Sequence, residues 1–119
     1  MRSPRAFGRP PRQCSHRQHK APRVGGLGPA LEVHRACREE GLGTWVGSML
    51  ETDMGRAYLL AFATLDHGFV PDLFPTGTHL VAGLLRAPIE MDRDGYLRLP
   101  PGPGIRVEVD PRAVTRYRI

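Results

Sequence analysis

Lys20-Ala21-Pro22-Arg23-Val24-Gly25-Gly26 is the stretch on which the fold turns. Lys20 is the only lysine, and the other sixteen of the seventeen Lys and Arg residues are arginines. The segments beyond it come in a definite order. A helix-like segment is first, then Gly47-Ser48-Met49-Leu50-Glu51-Thr52, then Gly55-Arg56-Ala57, and near the end Pro101-Gly102-Pro103-Gly104-Ile105.

Outward from that stretch the periodicity alternates between helix and strand. Residues 28–40 predict an amphipathic helix: Leu27, Ala30, Leu31, His34 and Cys37 form one stripe, widened by Val33 and Ala36, with Glu32, Arg35 and Glu39 on the outer face. Pro29 suits a first turn and Gly41 is placed to end the helix. Thr44-Trp45-Val46-Gly47 reads as a short buried strand, within a span of 44–48. Residues 53–65 read as a second helix, apolar on nearly every side from Ala57 to Ala63, which demands burial all round. Phe69 to Leu73 is a second short strand, expected to run parallel to the first.

The tail changes character. Pro88 to Met91 and Tyr96 to Leu99 flank Asp92-Arg93-Asp94-Gly95, a hairpin turn. Ile105 to Val109 alternates like a half-exposed strand, and Asp110 is placed to cap a short helical turn through Val114.

The order and spacing of the Lys20–Gly26, Gly47–Thr52, Gly55–Ala57 and Pro101–Ile105 segments resemble the C-terminal part of the enolase superfamily. The likeness is to the muconate lactonizing branch that contains o-succinylbenzoate synthases and N-acylamino acid racemases. It spans roughly residues 20–118. It implies an α/β fold, the incomplete C-terminal part of a (β/α)8 barrel with a β-hairpin tail. A complete barrel needs about 250 residues, so 119 residues hold only a few βα units. The resemblance also implies removal of a proton α to a carboxylate, with Lys20 as acid/base and a divalent metal, Mg2+ or Mn2+, stabilising the enolate. Relatives hold that metal with three carboxylates from strands before the lysine. No Asp or Glu precedes Lys20, so the metal ligands are not expected from this chain. The Gly47–Thr52 segment matches the family's "GGMLET" at the end of the seventh strand, with Ser48 in place of the second Gly. It marks Ser48, Met49 and Glu51 as substrate-pocket candidates. Asp72 aligns with an aspartate after the eighth strand and reads equally as a turn carboxylate.

Charge divides the chain at the same place. Residues 1–24 carry seven basic and no acidic side chains, and the remaining 95 carry ten basic and twelve acidic. The net charge of +5 therefore belongs to the leader. Residues 1–19 lack a hydrophobic period and predict a disordered basic arm, with residues 12–19 a poor strand because none is β-branched. The domain proper is then 20–119. Phe7 is the leader's one aromatic residue, so the stacking groups of a single-strand nucleic-acid binder are missing. Its Arg-rich, acid-free composition suits a transit peptide, but Pro10-Pro11 opposes an amphipathic helix.

Cys14 and Cys37 make no disulfide framework or CxxC motif, which fits a reducing, cytoplasmic setting. No apolar run reaches membrane-spanning length. Cys14, His16 and His19 lie within six residues but offer no fourth zinc ligand. His34 reads as a core histidine, and His67 and His79 as loop residues. The function expected is that of a partial enolase-type enzyme acting on a small carboxylate substrate. The rival is a small binding module whose basic arm contacts nucleic acid or an acidic partner.

Overall fold

The computed structural model describes residues 16–118. The elements in order are β1 (His16–His19), a 3-10 turn (Ala21–Val24), α1 (Leu27–Glu39), β2 (Gly43–Val46), α2 (Asp53–Ala63) and α3 (Pro111–Arg116). β1 and β2 pair in parallel, His16 opposite Gly43 and His19 opposite Val46. The unit is thus strand, crossover helix, parallel strand, helix, the α/β rhythm expected of the sequence.

β1 corrects the reading of residues 12–19. His16–His19 is a strand, although it holds no β-branched residue. Pairing with β2 and burial of one side chain override the weak local propensity. His19 is 5 % exposed and packs beside Phe62, ring centroids 5.7 Å apart. An imidazole does there what an aliphatic residue does elsewhere, so a search for apolar residues passes over it. The rest of the proposed leader, residues 1–15, lies outside the described residues.

α1 matches its predicted stripe. Ala30, His34 and Cys37 are buried, Leu27 and Leu31 pack against the core, and Glu32, Arg35 and Glu39 are exposed. Its end is a Schellman turn: Gly41 N–H donates to the Arg38 carbonyl and Leu42 N–H to the Cys37 carbonyl. Cys37 is a free buried thiol, and burial pushes its pKa up.

α2 begins at Thr52, whose hydroxyl accepts the Gly55 N–H. Ala57, Leu59, Leu60 and Phe62 are buried. So apolar a helix demands cover on every side. The tail supplies part of it: Leu73 and Ile89 belong to the same buried cluster, and Leu85, Leu97, Leu99 and Val107 pack against it. Tyr58, 41 % exposed, is where that cover ends.

The expected strand at 69–73 is reduced to two parallel bridges, Thr44 with Gly68 and Gly47 with Asp72. Its direction is as expected. The Phe69 ring lies over Gly43 and beside His16, but Val70 is 88 % exposed and Pro71 has no N–H to give, so the pairing is not continuous. In the tail, the turn at Asp92–Gly95 closes a single antiparallel bridge between Met91 and Leu97. Ile105–Val109 is no strand either. Arg106 takes a φ of 59°, which breaks the extended run and leaves one bridge, Val109 to Leu85. Asp110 caps α3 by accepting the Arg112 N–H.

Candidate active site

The lysine stands where the sheet ends. Gly47 N–H donates to the His19 carbonyl at 2.8 Å, continuing the β1–β2 pairing one step beyond the strands. Lys20 is still extended (φ −115°, ψ 91°) before the 3-10 turn begins. Gly25 and Gly26 then take φ values of 99° and 111°, which residues with a Cβ rarely adopt. The two glycines are thus what lets the chain reverse into α1 just after the lysine.

The half-buried Lys20 Nζ donates to the Ser48 carbonyl at 3.0 Å. Ser48 Oγ donates to Glu51 Oε2 at 2.8 Å, and the other Glu51 oxygen accepts the Met49 N–H. Lys20, Ser48 and Glu51 therefore form one connected group at adjacent strand ends. Met49 joins it through its backbone, with its side chain 36 % exposed. The Glu51 carboxylate is engaged with its own loop, which it folds into a tight turn. Asp72 contributes backbone alone: its N–H donates to the Val46 carbonyl, and its carbonyl accepts the Ser48 N–H. Its side chain is exposed.

Arg56 belongs to this group, although sequence reasoning assigned it no role. It is 2 % exposed. Its guanidinium donates to the Pro75 carbonyl at 2.6 Å and to the Glu51 carbonyl at 3.4 Å. It thereby ties the loop after β2 to the loop after residue 72. A cation within a largely apolar helix was the available signal, since a buried cation needs acceptors.

On the helix side of the sheet a second polar group is buried. His19, His34 and His67 are each 5 % exposed. The His34 and His67 ring centroids lie 4.4 Å apart, and His19 is 5.9 Å from each. Thr44 Oγ1 sits between His34 Nδ1 (3.2 Å) and His67 Nδ1 (2.8 Å). His34 is a core histidine, as its stripe position implied. His67 is in a loop, as expected, yet buried. Their convergence with His19 was invisible in sequence because each comes from a different element.

Among the described residues no three His, Cys, Asp or Glu side chains are grouped so as to hold a metal ion. No helix there is long and apolar enough to cross a membrane.

A lysine and a braced serine–glutamate loop thus stand at adjacent ends of parallel strands. The family model described as "Enolase C-terminal domain-like" matches residues 12–113, and the chain belongs to that family. The match also takes in residues 12–19, which the sequence reading had set outside the family. The o-succinylbenzoate synthase of Geobacillus stearothermophilus is 39 % identical over 98 residues, covering 82 % of this chain and 26 % of the relative. An N-succinylamino acid racemase from Amycolatopsis is 34 % identical over 88 residues, covering 74 % and 24 %. A crystal structure of an enolase-superfamily member from Enterococcus faecalis superposes with a TM-score of 0.79 at 30 % identity, covering 87 % of this chain and 28 % of that one. The chain thus spans about a quarter of the length of the relatives it matches.

Proposed function

We propose that this chain forms the lysine-bearing side of an enolase-type site that abstracts the proton α to a carboxylate, of the o-succinylbenzoate synthase or N-acylamino acid racemase type. In this reading its sheet is part of the wall of an eight-stranded barrel, whose catalytic groups gather at strand ends. Lys20 is the acid/base, and Ser48, Met49 and Glu51 line the substrate pocket beside it. The observation that carries the reading is the 3.0 Å hydrogen bond from Lys20 Nζ to the Ser48 carbonyl. It joins the two most family-like segments of the sequence at one point.

The contact suits an acid/base. A carbonyl accepts from an ammonium and from a neutral amine alike, so Lys20 can gain and lose a proton without losing its aim. Glu51 is better suited to shaping the pocket than to proton transfer, because both its oxygens are already accepting hydrogen bonds. The family likeness implies Mg2+ or Mn2+, but the described residues do not fit a hard cation, which needs several converging oxygen ligands.

The test is reconstitution. The chain is co-expressed with the preceding three quarters of the Geobacillus stearothermophilus relative, and the complex is assayed for o-succinylbenzoate formation and for N-acylamino acid racemisation. Activity that appears with the intact chain and disappears with Lys20→Ala supports the reading. Equal activity with Lys20→Ala overturns it.

A further inference from the structure

We propose that His19, His34 and His67 form a proton-operated latch that holds the strand end carrying Lys20 against the helix layer and releases it on acidification. The latch rests on the proposed function only for its bearing on Lys20. The cluster and its response to protons stand apart from any activity.

The geometry joins every layer. His19 ends β1, His34 lies in the middle of α1, and His67 follows α2. Phe62 of α2 packs against all three rings, with centroids 5.7, 5.9 and 4.8 Å away. β1 has no other deep anchor: along the strand only His19 is fully buried. What holds this ring holds the residue beside it, and that residue is Lys20.

The hydrogen bonds select the tautomers of the neutral rings. His67 Nε2 faces the Phe62 carbonyl at 2.9 Å. A carbonyl only accepts, so Nε2 carries the proton and Nδ1 of the neutral ring is an acceptor. The Thr44 hydroxyl then donates to His67 Nδ1 and accepts from His34 Nδ1–H. His19 Nε2 is buried with no hydrogen-bond partner among the described residues, so a proton placed there would be both desolvated and unshared.

The charged groups around the cluster add to this. Arg17 on β1 and Arg38 on α1 oppose further positive charge. Asp66, before His67, favours it but is already paired with Arg38. β2 and α2 present Thr44 and Phe62, which are uncharged. Burial, then the neighbouring imidazoles and Arg17, lower the His19 pKa to about 4. His34 is lowered by burial first and then by His67 and Arg38. Folded pKa values below the unfolded value mean that the open form takes up protons first. The stabilisation is complete above about pH 6.5 and is lost as pH falls toward about 4.

The experiment tracks histidine ring resonances and the exchange of the Gly47 amide by NMR in the full chain between pH 7 and pH 5. Gly47 reports on the strand end because its N–H is bonded to the His19 carbonyl. His19 is expected to stay neutral down to about pH 5, while Gly47 protection, corrected for intrinsic exchange, falls about twentyfold from the His19 term alone. In His19→Phe, which keeps an aromatic ring in place, most of that loss is expected to vanish. Titration of His19 near pH 6.5 with Gly47 protection unchanged would overturn the proposal, and so would a His19→Phe chain that loses protection as the parent does. If that variant does not fold, the titration of the parent chain decides alone.

Discussion

The buried carboxylate of Asp53, at the head of α2, accepts the backbone N–H of Leu84 (2.9 Å) thirty-one residues further along, and that of Leu85 (3.2 Å). One side chain thus fastens the tail across the helix that the tail covers. Asp53→Ala leaves both N–H groups without that acceptor and is expected to cost about 1–3 kcal/mol. Urea denaturation measures it, and a change within error would remove Asp53 from this role.

Gly83 is bound up with the same contact. A Cβ there would stand 2.1 Å from Asp53 Oδ2, and the carboxylate cannot yield without losing its donors. Gly83→Ala is therefore expected to destabilise the chain. Combined with Asp53→Ala it should cost clearly less than the sum of the two changes, since the obstacle is gone. A double-mutant cycle with strict additivity speaks against the coupling.

Thr44 is 1 % exposed and joins two imidazoles. Thr44→Val keeps the shape and removes the hydroxyl, leaving nitrogens of His34 and His67 unsatisfied at a cost of about 1–3 kcal/mol. Denaturation at pH 7.5, above the lowered pKa values of His19 and His34, keeps their titration out of the measurement. Equal stability of parent and variant there is the contrary result.

Gly26 takes φ 111° and ψ −168°, a region open almost only to glycine. Gly26→Ala is expected to cost about 1–3 kcal/mol and to shift the Lys20 and Ser48 resonances, because the turn begins at Lys20. Unchanged resonances would show that the lysine is placed independently of the turn.

The chain alone, supplied with excess Mg2+, is expected to show no turnover of either family substrate. Enolate chemistry of this kind asks for converging oxygen ligands, and the described residues do not provide them. Activity in the purified chain that is lost in Lys20→Ala would mean that a site assembles in another way.

Much of this was legible in sequence, and the rest was hidden for identifiable reasons. α1 and α2 showed themselves because a helix repeats its apolar residues within a single segment. Lys20, Ser48 and Glu51 were marked by the family motifs, and their meeting is a consequence of parallel pairing. β1 was missed because its one core residue is a histidine. The strand at 69–73 was over-read because Val70 has a strand-like side chain that the fold leaves in solvent and Pro71 cannot donate to a ladder. The three imidazoles and Arg56 depend on contacts between distant segments, which no local pattern encodes.

His19 and Lys20 are adjacent, yet one is sealed under the helices and the other reaches along the sheet's end to Ser48. Neighbouring residues of an extended chain point to opposite sides, so this boundary has almost no tolerance for insertion or deletion. Sliding the segment by one residue against β2 would drive an amine among the aromatic rings and leave an imidazole facing Ser48. Both places would be wrong at once. Evolution can alter the residues on either side of the pair far more freely than it can alter the count between them and Gly47.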